Sequence, residues 1–447
     1  MELLESILSE IAGYIWGVPL IILLFGTHIY LTIKLKFIQR YIFKAIKISF
    51  SKNKEGAGDI SQFGAMATAL AATIGTGNIV GVSTAIAAGG PGAVLWMWLT
   101  GLFGIATKYS EALLSVKYRI VNKDGSMSGG PMYVIERGMK MKWLAILFAA
   151  FTSVSAFGIG NMVQSNSISH MVNEAFNIPF WITGLILTAI TALVILGGIK
   201  SIAKVCETLV PFMAISYLVG CILLLIIGYS TIPDTLILIV KSAFTGQAAV
   251  GGFLGAGAKE AMRWGIARGL FSNESGLGSA PIVAAAAQTK NPVRQALVSS
   301  TGTFWDTVVV CAFTGVVIVN SQDWHSGLNG AALTKSAFAH LAYAGPILLS
   351  VGLLTFVFST ILGWSYYGEK SAEYLFGNSA VKPYRYIWVV FVFIGSVVSI
   401  DIVWPFADIT NGLMAIPNLI SLLFLHKVLT AETKKYLWEG DIEQSSE

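Results

Sequence analysis

The stretch Ala71-Ala72-Thr73-Ile74-Gly75-Thr76-Gly77-Asn78-Ile79-Val80-Gly81 lies inside an apolar segment, about 63–88, that is long enough to cross a membrane. Its three glycines and one asparagine within seven residues disfavour a continuous helix, because glycine loses backbone entropy when it becomes helical. In hydrocarbon, an opened turn leaves N–H and C=O groups that something polar must meet. The stretch therefore predicts a broken helix and a site for a small polar solute; close helix packing through small residues is the alternative.

The composition of the whole chain is that of a polytopic membrane protein. Charged residues make up 12% of the 447 residues and hydrophobic residues 55%, whereas soluble domains carry about 25% charged residues. At about 20 residues per span, the chain has room for roughly ten to twelve transmembrane helices and for little else. We therefore expect an all-α protein in the cell membrane, with the lipid bilayer as its surroundings and without a nucleic-acid partner, an obligate protein partner or an organic cofactor.

Hydropathy predicts eleven spans. They occupy about 11–34, 61–88, 92–116, 143–170, 179–198, 206–229, 250–288, 296–320, 345–370, 384–403 and 405–426. Lysine and arginine cluster in alternate loops and in the tail, which the positive-inside rule places in the cytoplasm. The first of these loops carries seven basic residues, from Lys34 to Lys54, and its part 38–50 has the spacing of an amphipathic helix on the membrane surface. The predicted topology has the N-terminus outside and the C-terminus inside.

A second interruption lies in the seventh predicted span. The run Gly269-Leu270-Phe271-Ser272-Asn273-Glu274-Ser275-Gly276-Leu277-Gly278-Ser279-Ala280-Pro281 contains three glycines, three serines, an asparagine and a glutamate. Ser279 followed by Pro281 predicts that a helix restarts there, with Ser279 as its cap and the proline in its first turn.

When the first span is set aside, the two interrupted helices are the first and the sixth of ten. Such a pair, at matching places in two five-helix halves of opposite orientation, is typical of an inverted-repeat transporter. The predicted organisation is therefore an N-terminal helix and linker (1–60), a first repeat (61–229), a second repeat (230–426) and a cytoplasmic tail (427–447).

Six motifs together resemble those of a known family. They are Ala72–Gly81, Gly89-Gly90-Pro91-Gly92-Ala93, Lys108-Tyr109-Ser110-Glu111-Ala112, Gly129-Gly130-Pro131-Met132-Tyr133, Phe271–Pro281 and Gly363-Trp364-Ser365-Tyr366-Tyr367-Gly368-Glu369. From about Phe63 to Asn418, the chain resembles the alanine or glycine:cation symporter family. The resemblance implies sodium-coupled, less often proton-coupled, uptake of alanine and glycine. It also implies a LeuT-type fold with an extra N-terminal helix, which agrees with one helix plus ten.

An amino acid zwitterion needs donors for its carboxylate and acceptors for its ammonium. The N-terminal end of a half-helix offers free N–H groups and the positive end of the helix dipole. We therefore assign the carboxylate to the first break, at Gly75, Thr76, Gly77 and Asn78. The ammonium is assigned to carbonyls and side chains of the second break, at Phe271, Ser272 and Asn273.

Gln164 belongs to the third core helix, which lines the substrate cavity in LeuT-type folds. A polar side chain within the membrane is costly unless it faces something; a helix–helix hydrogen bond is the alternative, more so for Asn161 and Asn166. Trp364 and Phe271 have the bulk to close the pocket around a methyl group and to exclude branched side chains, although core packing is the usual fate of an aromatic side chain.

The resemblance to LeuT-type sodium sites implies which oxygens would hold a coupling Na⁺. The carbonyls would come from Ala71 and Ile74, and the hydroxyls from Ser359 and Thr360. Adjacent hydroxyls in membrane helices often bond only the carbonyl four residues earlier, which is the alternative. Asn78 matches a position that supplies a second sodium site in some LeuT-type carriers, but we expect one cation and assign Asn78 to the substrate.

Two carboxylates, Glu274 and Asp306, lie within predicted spans. A buried carboxylate is consistent with proton coupling, so a proton-coupled amino acid symporter that uses Glu274 or Asp306 is the alternative function. Pairing of Glu274 with Arg263 or Arg268, or a place in the cytoplasmic gate, also stays open.

The pair Lys108 and Glu111 is expected at the membrane interface in a structural role. An intramembrane enzyme is disfavoured, because the chain has no His-Glu-x-x-His motif and no paired catalytic serine and histidine. A channel is disfavoured because paired repeats indicate alternating access.

Overall fold

The computed structural model describes residues 2–51, 56–245, 257–398 and 403–444. The described chain is mostly helical, as predicted. Its helices are α1 (Glu2–Ile15), α2 (Val18–Lys34), α3 (Ile42–Ser49), α4 (Gln62–Thr73), α5 (Val82–Gly89), α6 (Gly92–Lys117), α7 (Pro131–Tyr133), α8 (Lys142–Phe157), α9 (Val163–Phe176), α10 (Phe180–Ile195), α11 (Gly198–Ile227), α12 (Ile232–Phe244), α13 (Ala258–Asn273), α14 (Pro281–Ala284), α15 (Pro292–Thr303), α16 (Ala312–Asn320), α17 (Gly330–Ala339), α18 (Ala344–Phe376), α19 (Val381–Val397), α20 (Val403–Phe424) and α21 (His426–Thr433).

Shorter segments complete the secondary structure. Strands β1 (Ile120–Val121) and β2 (Met127–Ser128) form an antiparallel pair. The π-helical segments are Gly77–Gly81, Val134–Gly138, Gly158–Met162, Phe304–Cys311 and Lys434–Trp438, and the 3-10 segments are Ile38–Tyr41, Tyr229–Thr231, Asp323–Ser326 and Asn378–Ala380.

Several helices have the length and apolarity of membrane spans. In the described ranges, seven helical stretches meet both conditions, and the bent pair formed by α4 and Gly77–Gly89 would make an eighth. The seven are Glu5–Lys34, Lys142–Glu174, Gly198–Ile227, Pro292–Asn320, Ala344–Phe376, Asn378–Val397 and Val403–Phe424. The predicted count of eleven spans and the predicted orientation stay predictions.

The first break lies where the opening stretch predicts it. Helix α4 begins at a capped end, because the Ser61 hydroxyl accepts a hydrogen bond from the Gly64 N–H at 2.8 Å. It ends at Thr73, and the chain becomes helical again at Gly77 with the axis bent by 53°. Three residues lie between them, and the first of these, Ile74, has extended backbone angles. The predicted broken helix is confirmed.

The second break is longer than the first, and the helix that follows it is shorter than predicted. Helix α13 ends at Asn273, and Glu274, Gly276 and Gly278 all have positive φ. Pro281 opens α14 as predicted, but α14 has only four residues and ends at Ala284. Residues 250–256 of the predicted span 250–288 lie outside the described residues.

The predicted capping role of Ser279 is wrong. Ala280, and not Ser279, is the residue directly before α14. Its backbone angles are helical, and no side-chain hydrogen bond caps the start of this helix. The Ser279 hydroxyl instead donates a hydrogen bond to the buried Glu274 carboxylate. A buried carboxylate must be satisfied by donors, and a hydrogen bond to a charged group is stronger than a cap to an amide.

The helices pack as two groups that meet at the first break. Helices α5, α13 and α15 pack on α6 as the first group, α8, α9 and α19 pack on α18 as the second, and α4 packs on α15, α11 and α18. Helix α18 crosses α4 so closely that a Cβ atom on Gly363 would lie 2.7 Å from the Ala72 Cβ. The first break is therefore next to α18.

Candidate functional site

The C-terminal end of α4 and the middle of α18 bring a set of oxygens together. The Ser359 hydroxyl donates to the Ala71 carbonyl at 3.0 Å and to the Phe356 carbonyl at 2.8 Å. The Thr360 hydroxyl donates to the same Phe356 carbonyl at 3.0 Å. A Cβ atom on Gly75 would lie 2.6 Å from Thr360 Oγ1. Three of the four predicted sodium ligands are thus in this contact region.

The fourth predicted sodium ligand, Ile74, lies in the break itself. Its side chain is buried, and its N–H donates to the Leu70 carbonyl at 2.8 Å. The hydroxyls of Ser359 and Thr360 bond carbonyls of their own helix, as the alternative interpretation anticipated. These bonds use the hydroxyl hydrogen and leave oxygen lone pairs free. Carbonyl and hydroxyl oxygens are ligands that suit a hard cation, so the donor set fits Na⁺.

Asn78 connects the first break to the second. Its Oδ1 accepts the Gly75 N–H at 2.9 Å, and its Nδ2 donates to Asp306 Oδ1 at 2.7 Å. The Ser272 hydroxyl donates to Asp306 Oδ2 at 3.0 Å. A Cβ atom on Gly77 would lie 3.1 Å from the Ser272 Cα, so the two breaks touch. The Gly75 N–H is therefore already satisfied, and Thr76 and Gly77 are the other backbone donors of this turn.

Trp364 lies in a contact that sequence reasoning did not anticipate. Its indole N–H donates to Glu274 Oε1 at 2.9 Å, and both side chains are buried. A Cβ atom on Gly160 would lie 2.2 Å from the Trp364 Cβ, so the tryptophan covers the π-helical segment Gly158–Met162. Trp364 thus connects α18 with both the second break and the turn between α8 and α9.

The pairing of Glu274 with an arginine, one of the alternatives that the sequence leaves open, is not observed among the residues that the structure describes. Arg263 forms an ion pair with Glu260 at 3.6 Å. The Arg268 guanidinium lies over the Phe271 ring, 5.8 Å from its centroid. The Glu274 carboxylate instead accepts hydrogen bonds from the Trp364 indole N–H and the Ser279 hydroxyl.

Three polar side chains of the third core helix behave differently. Asn161 donates to the Trp388 carbonyl at 2.9 Å and Asn166 to the Gly395 carbonyl at 3.1 Å, so both make the helix–helix bonds considered for them. Gln164 donates at 2.8 Å to a carbonyl of its own helical stretch. Its buried Oε1 has no partner among the residues that the structure describes. Gln164 therefore keeps a free acceptor, four residues from Gly160 on the same helix face.

Two residues predicted for the ammonium line other cavities. Phe271 lines a cavity of about 280 Å³ between α1, α13 and α20, together with Trp16 and Asp408. Asn273 accepts the Ser275 N–H at 2.9 Å and lines a cavity of about 10 Å³. Ser272 is the member of the predicted trio that contacts the first break.

A large cavity reaches the first break from one end of the bundle; we call it the vestibule. Its volume is about 930 Å³, and it is lined by Thr76 and Val80 and by parts of α9, α17, α18 and α19. Its charged or titratable lining residues are His170, Glu174 and Lys335. A small polar solute can therefore approach Thr76 from the α17 end.

The opposite end of α4 is closed by the linker and the tail. Arg294 is buried at the start of α15, and its guanidinium donates to Gln62 at 3.3 Å, to Ser51 at 3.0 Å and to Glu443. Asn291 donates to two tail carbonyls, including that of Ile442 at 2.8 Å. The start of the first broken helix is thus tied to the C-terminal tail.

Lys108 and Glu111, which are expected at the membrane interface, are buried inside the protein and only 3% and 2% exposed. Glu111 Oε1 accepts the N–H groups of Gly276 and Gly278 at 3.0 and 3.1 Å and the Asn418 amide at 2.7 Å. The backbone donors of the second break need an acceptor inside the bundle, and α6 supplies it. Two charges three residues apart in an otherwise apolar helix were the signal for this role.

Comparisons with known proteins agree with this architecture. A model of the sodium:alanine symporter family matches residues 1–446. The sodium/alanine symporter AgcS of Methanococcus maripaludis is 48% identical over 442 residues, which cover 96% of this chain and 97% of that protein. An uncharacterized transporter of Haemophilus influenzae is 53% identical over 438 residues, or 97% and 96% of the two chains.

One solved structure supports the fold. The crystal structure of MhsT in complex with L-phenylalanine superposes with a TM-score of 0.60 at 13% sequence identity, over 86% of this chain and 94% of that chain. At this identity the likeness shows the fold alone, which is the LeuT-type fold that the family resemblance implies.

Proposed function

The chain belongs to the sodium:alanine symporter family, and on this premise we propose that it carries alanine and glycine into the cell together with Na⁺ by alternating access. The family and the relatives are transporters and not enzymes. The observation that carries the proposal is the first break: it has oxygens of α18 on one side and the vestibule on the other.

The coupling ion is proposed to bind between Ala71, Ile74, Ser359 and Thr360. A cation held at these oxygens would attach the end of α4, which also packs on α15 of the first group, to α18 of the second group. Binding of Na⁺ would therefore favour one relative position of the groups and change the affinity of the neighbouring substrate site.

The amino acid is proposed to bind beside the ion. Its carboxylate would take N–H donors of Thr76 and Gly77, with Gly75 and Asn78 keeping the turn open. The free Gln164 acceptor is available for the ammonium, and Ser272 lies across the break.

Trp364 is proposed to limit the size of the substrate side chain, because it packs directly on Gly160. Phe271 and Asn273 stay in the proposed site as the flanks of Ser272. Because Phe271 and Asn273 line other cavities, their substitution should change transport less than substitution of Ser272.

The proposed topology keeps eleven spans with the N-terminus outside, in the cell membrane. The vestibule then opens to the outside, since α17 lies within a predicted outer loop, between the spans 296–320 and 345–370. The linker and tail that close the other end then lie in the cytoplasm.

Uptake into proteoliposomes under an imposed Na⁺ or H⁺ gradient, with small amino acids as competitors, tests the proposal. Thr360→Ala should raise the Na⁺ concentration needed for half-maximal alanine uptake. Thr355→Ala is the matched control, because Thr355 also bonds the carbonyl four residues earlier on α18 but lies outside the contact region. Unchanged sodium dependence of Thr360→Ala would remove Thr360 from the site.

Proton coupling is the second candidate function, and the burial of Glu274 and Asp306 next to the breaks favours it. Glu274→Gln should preserve sodium-driven uptake if Na⁺ is the coupling ion. Loss of uptake driven by a proton gradient in this variant would favour the second candidate.

A further inference from the structure

The cavity of about 280 Å³ between α1, α13 and α20 carries charges of both signs; we call it the tryptophan cavity. Its charged lining residues are Arg263, Arg268 and Asp408. All three lie within predicted spans, where a charged side chain is costly unless it faces a partner or a ligand. The cavity is also separate from the vestibule, through which the proposed substrate approaches. It therefore calls for an occupant of its own.

The two arginines converge on one indole ring. The guanidinium carbons of Arg263 and Arg268 lie 5.7 and 5.6 Å from the centre of the Trp264 ring. Arg263 is compensated by Glu260, with which it pairs at 3.6 Å. The buried Nε of Arg268 has no hydrogen-bond partner among the residues that the structure describes. Guanidinium groups offer N–H donors in a fork that suits a phosphate, so this end of the cavity is suited to a phosphate group.

The third charged residue belongs to α20 and is held by α1. The Trp16 indole N–H donates to the Asp408 carbonyl at 2.9 Å, and both residues line the cavity. A carboxylate accepts hydrogen bonds from an ammonium group, and an indole ring attracts a cation to its face. With Arg263 already paired, Arg268 and Asp408 leave one charge of each sign. A zwitterion matches this set.

The walls of the cavity distinguish a lipid from a free solute. Helix α1, which forms one wall, exposes Ile11 and Tyr14 within the predicted first span, where lipid surrounds them. Three tryptophans line the cavity, namely Trp16, Trp264 and Trp404. Tryptophan is enriched at the level of the headgroups, and basic pockets between transmembrane helices bind lipid headgroups. The vestibule has neither tryptophan nor arginine among its described lining residues.

We propose that the tryptophan cavity binds the headgroup of a zwitterionic phospholipid with a primary ammonium, of the phosphatidylethanolamine type. The phosphate lies at Arg263 and Arg268, and the ammonium lies at the Asp408 carboxylate. In the proposed topology this is a site of the outer leaflet, because the N-terminus and the start of α20 are then at the outer side. The inference goes beyond the proposed function and does not depend on the coupling ion.

The test is native mass spectrometry of the full-length protein in detergent. The protein is titrated with phosphatidylethanolamine, with phosphatidylglycerol, or with soluble glycerophosphoethanolamine, which has the same headgroup but no acyl chains. The first phosphatidylethanolamine should bind about fivefold or more tightly than phosphatidylglycerol, which lacks the ammonium. Soluble glycerophosphoethanolamine should bind more weakly than the lipid, because it buries no acyl chain.

Two charge variants test the two ends of the headgroup. Arg268→Gln should weaken binding of phosphatidylethanolamine about fivefold or more, because a charged donor to the phosphate is lost. Asp408→Asn should bind phosphatidylethanolamine and phosphatidylglycerol equally. Lys335→Gln is the control for the loss of a positive charge, because Lys335 lines the vestibule and not the tryptophan cavity.

A filled cavity tests the site without removal of a charge. Gly13 lines the cavity, and a Cβ atom there meets no atom within 4 Å, so the side chain of Gly13→Phe occupies the cavity with little change in helix packing. This variant should also bind phosphatidylethanolamine about fivefold or more weakly. Gly26→Phe is the matched control, because a Cβ on Gly26 of α2 likewise meets no atom within 4 Å but lies outside the cavity.

Equal affinity of the wild-type protein for the two lipids would overturn the proposal. Wild-type affinity for phosphatidylethanolamine in Gly13→Phe would also overturn it, because the lipid then binds only around the bundle. Tighter binding of soluble glycerophosphoethanolamine than of the lipid would assign the cavity to a free solute instead. If Arg268→Gln does not fold, the comparison of Gly13→Phe with Gly26→Phe decides alone. These measurements use no ion gradient, so the proposed function fails separately, in the uptake assay.

Discussion

The first broken helix resumes after three residues and the second after seven, and the two gaps are held open by different chemistry. At the first gap, the groups that meet the backbone are uncharged: the Asn78 amide accepts the Gly75 N–H, and the Ser359 hydroxyl donates to the Ala71 carbonyl, while Asn78 itself donates to the Asp306 carboxylate. At the second gap, two buried carboxylates, Glu111 and Glu274, collect the donors.

The difference separates two tasks. Strong, charge-assisted hydrogen bonds fix the second break to α6 and α18, so that it serves as a framework. The backbone groups of the first break keep uncharged hydrogen bonds that an ion and a solute can replace, and the vestibule reaches the break at Thr76. Substitutions at the second break should therefore lower the stability of the fold, and substitutions at the first should lower transport in a protein that still folds.

The largest effect is expected at the carboxylate that holds the second break. Glu111→Ala leaves the N–H groups of Gly276 and Gly278 and the Asn418 amide without their acceptor. Each unpaired buried donor costs about 1–3 kcal/mol, so we expect little folded protein. The measurement is the yield and thermal unfolding of detergent-solubilised protein.

Glu432→Ala is the control for this variant, because Glu432 is a carboxylate of α21 that pairs at 2.6 Å with Lys117, the partly exposed last residue of α6. Exposed pairs contribute about 0–1 kcal/mol. A Glu111→Ala protein that unfolds at the same temperature as Glu432→Ala would show that the second break does not depend on its carboxylate.

The second largest effect is expected on transport, from a substitution at the first break. Gly75→Ala places a Cβ 2.6 Å from Thr360 Oγ1, so the turn must move away from α18. We expect uptake to fall about tenfold or more, the effect of about 1.4 kcal/mol, while the protein still folds. Gly81→Ala is the control, because a Cβ there meets no atom within 4 Å. Equal uptake by both variants would contradict the tight contact between the first break and α18.

A smaller effect is expected where the two breaks meet α18. Trp364→Phe keeps an aromatic ring but loses the indole N–H that donates to Glu274 at 2.9 Å. We expect a lower unfolding temperature and a wider range of transported amino acids, because the ring is no longer fixed against Gly160. Competition by serine, valine and leucine for alanine uptake measures the range, and a wild-type pattern would remove Trp364 from the wall of the pocket.

The sequence predicts the first break well because its cause is local. Glycine and asparagine change the backbone where they stand, so the bend at Ile74–Thr76 could be located from composition alone. Ser359 and Ala71 are in contact although they lie 288 positions apart, and no local sequence pattern encodes such a contact. Only the family resemblance placed both residues in one predicted sodium site.

The second break is less predictable because its cause is tertiary. Ser279 has the pattern of a helix cap, but the acceptor that takes its hydroxyl is a buried carboxylate whose place only the folded chain defines. Likewise, Lys108 and Glu111 are ordinary interface charges by sequence, and packing of α6 between α13 and α15 buries them.

The smallest effect is expected from a substitution in the C-terminal tail, which weakens the contacts that hold the start of α4. Arg294 holds Gln62, the first residue of α4, and is itself held by Glu443. The Glu443 side chain is 44% exposed, so loss of the pair in Glu443→Gln should cost at most about 1 kcal/mol. The weakened tie should let α4 move more often from α11, on which it packs and in which Cys206 lies buried.

The rate at which a maleimide labels Cys206 measures this motion, with the buried Cys221 of the same helix as the internal reference. We expect labelling of Cys206 to rise up to about fivefold in Glu443→Gln, the effect of about 1 kcal/mol, while Cys221 labels as in wild type. Faster labelling of both cysteines would mean general loosening. An unchanged rate at Cys206 would mean that the tail does not restrain α4, and that the first break is held only by its contacts with α18 and Asp306.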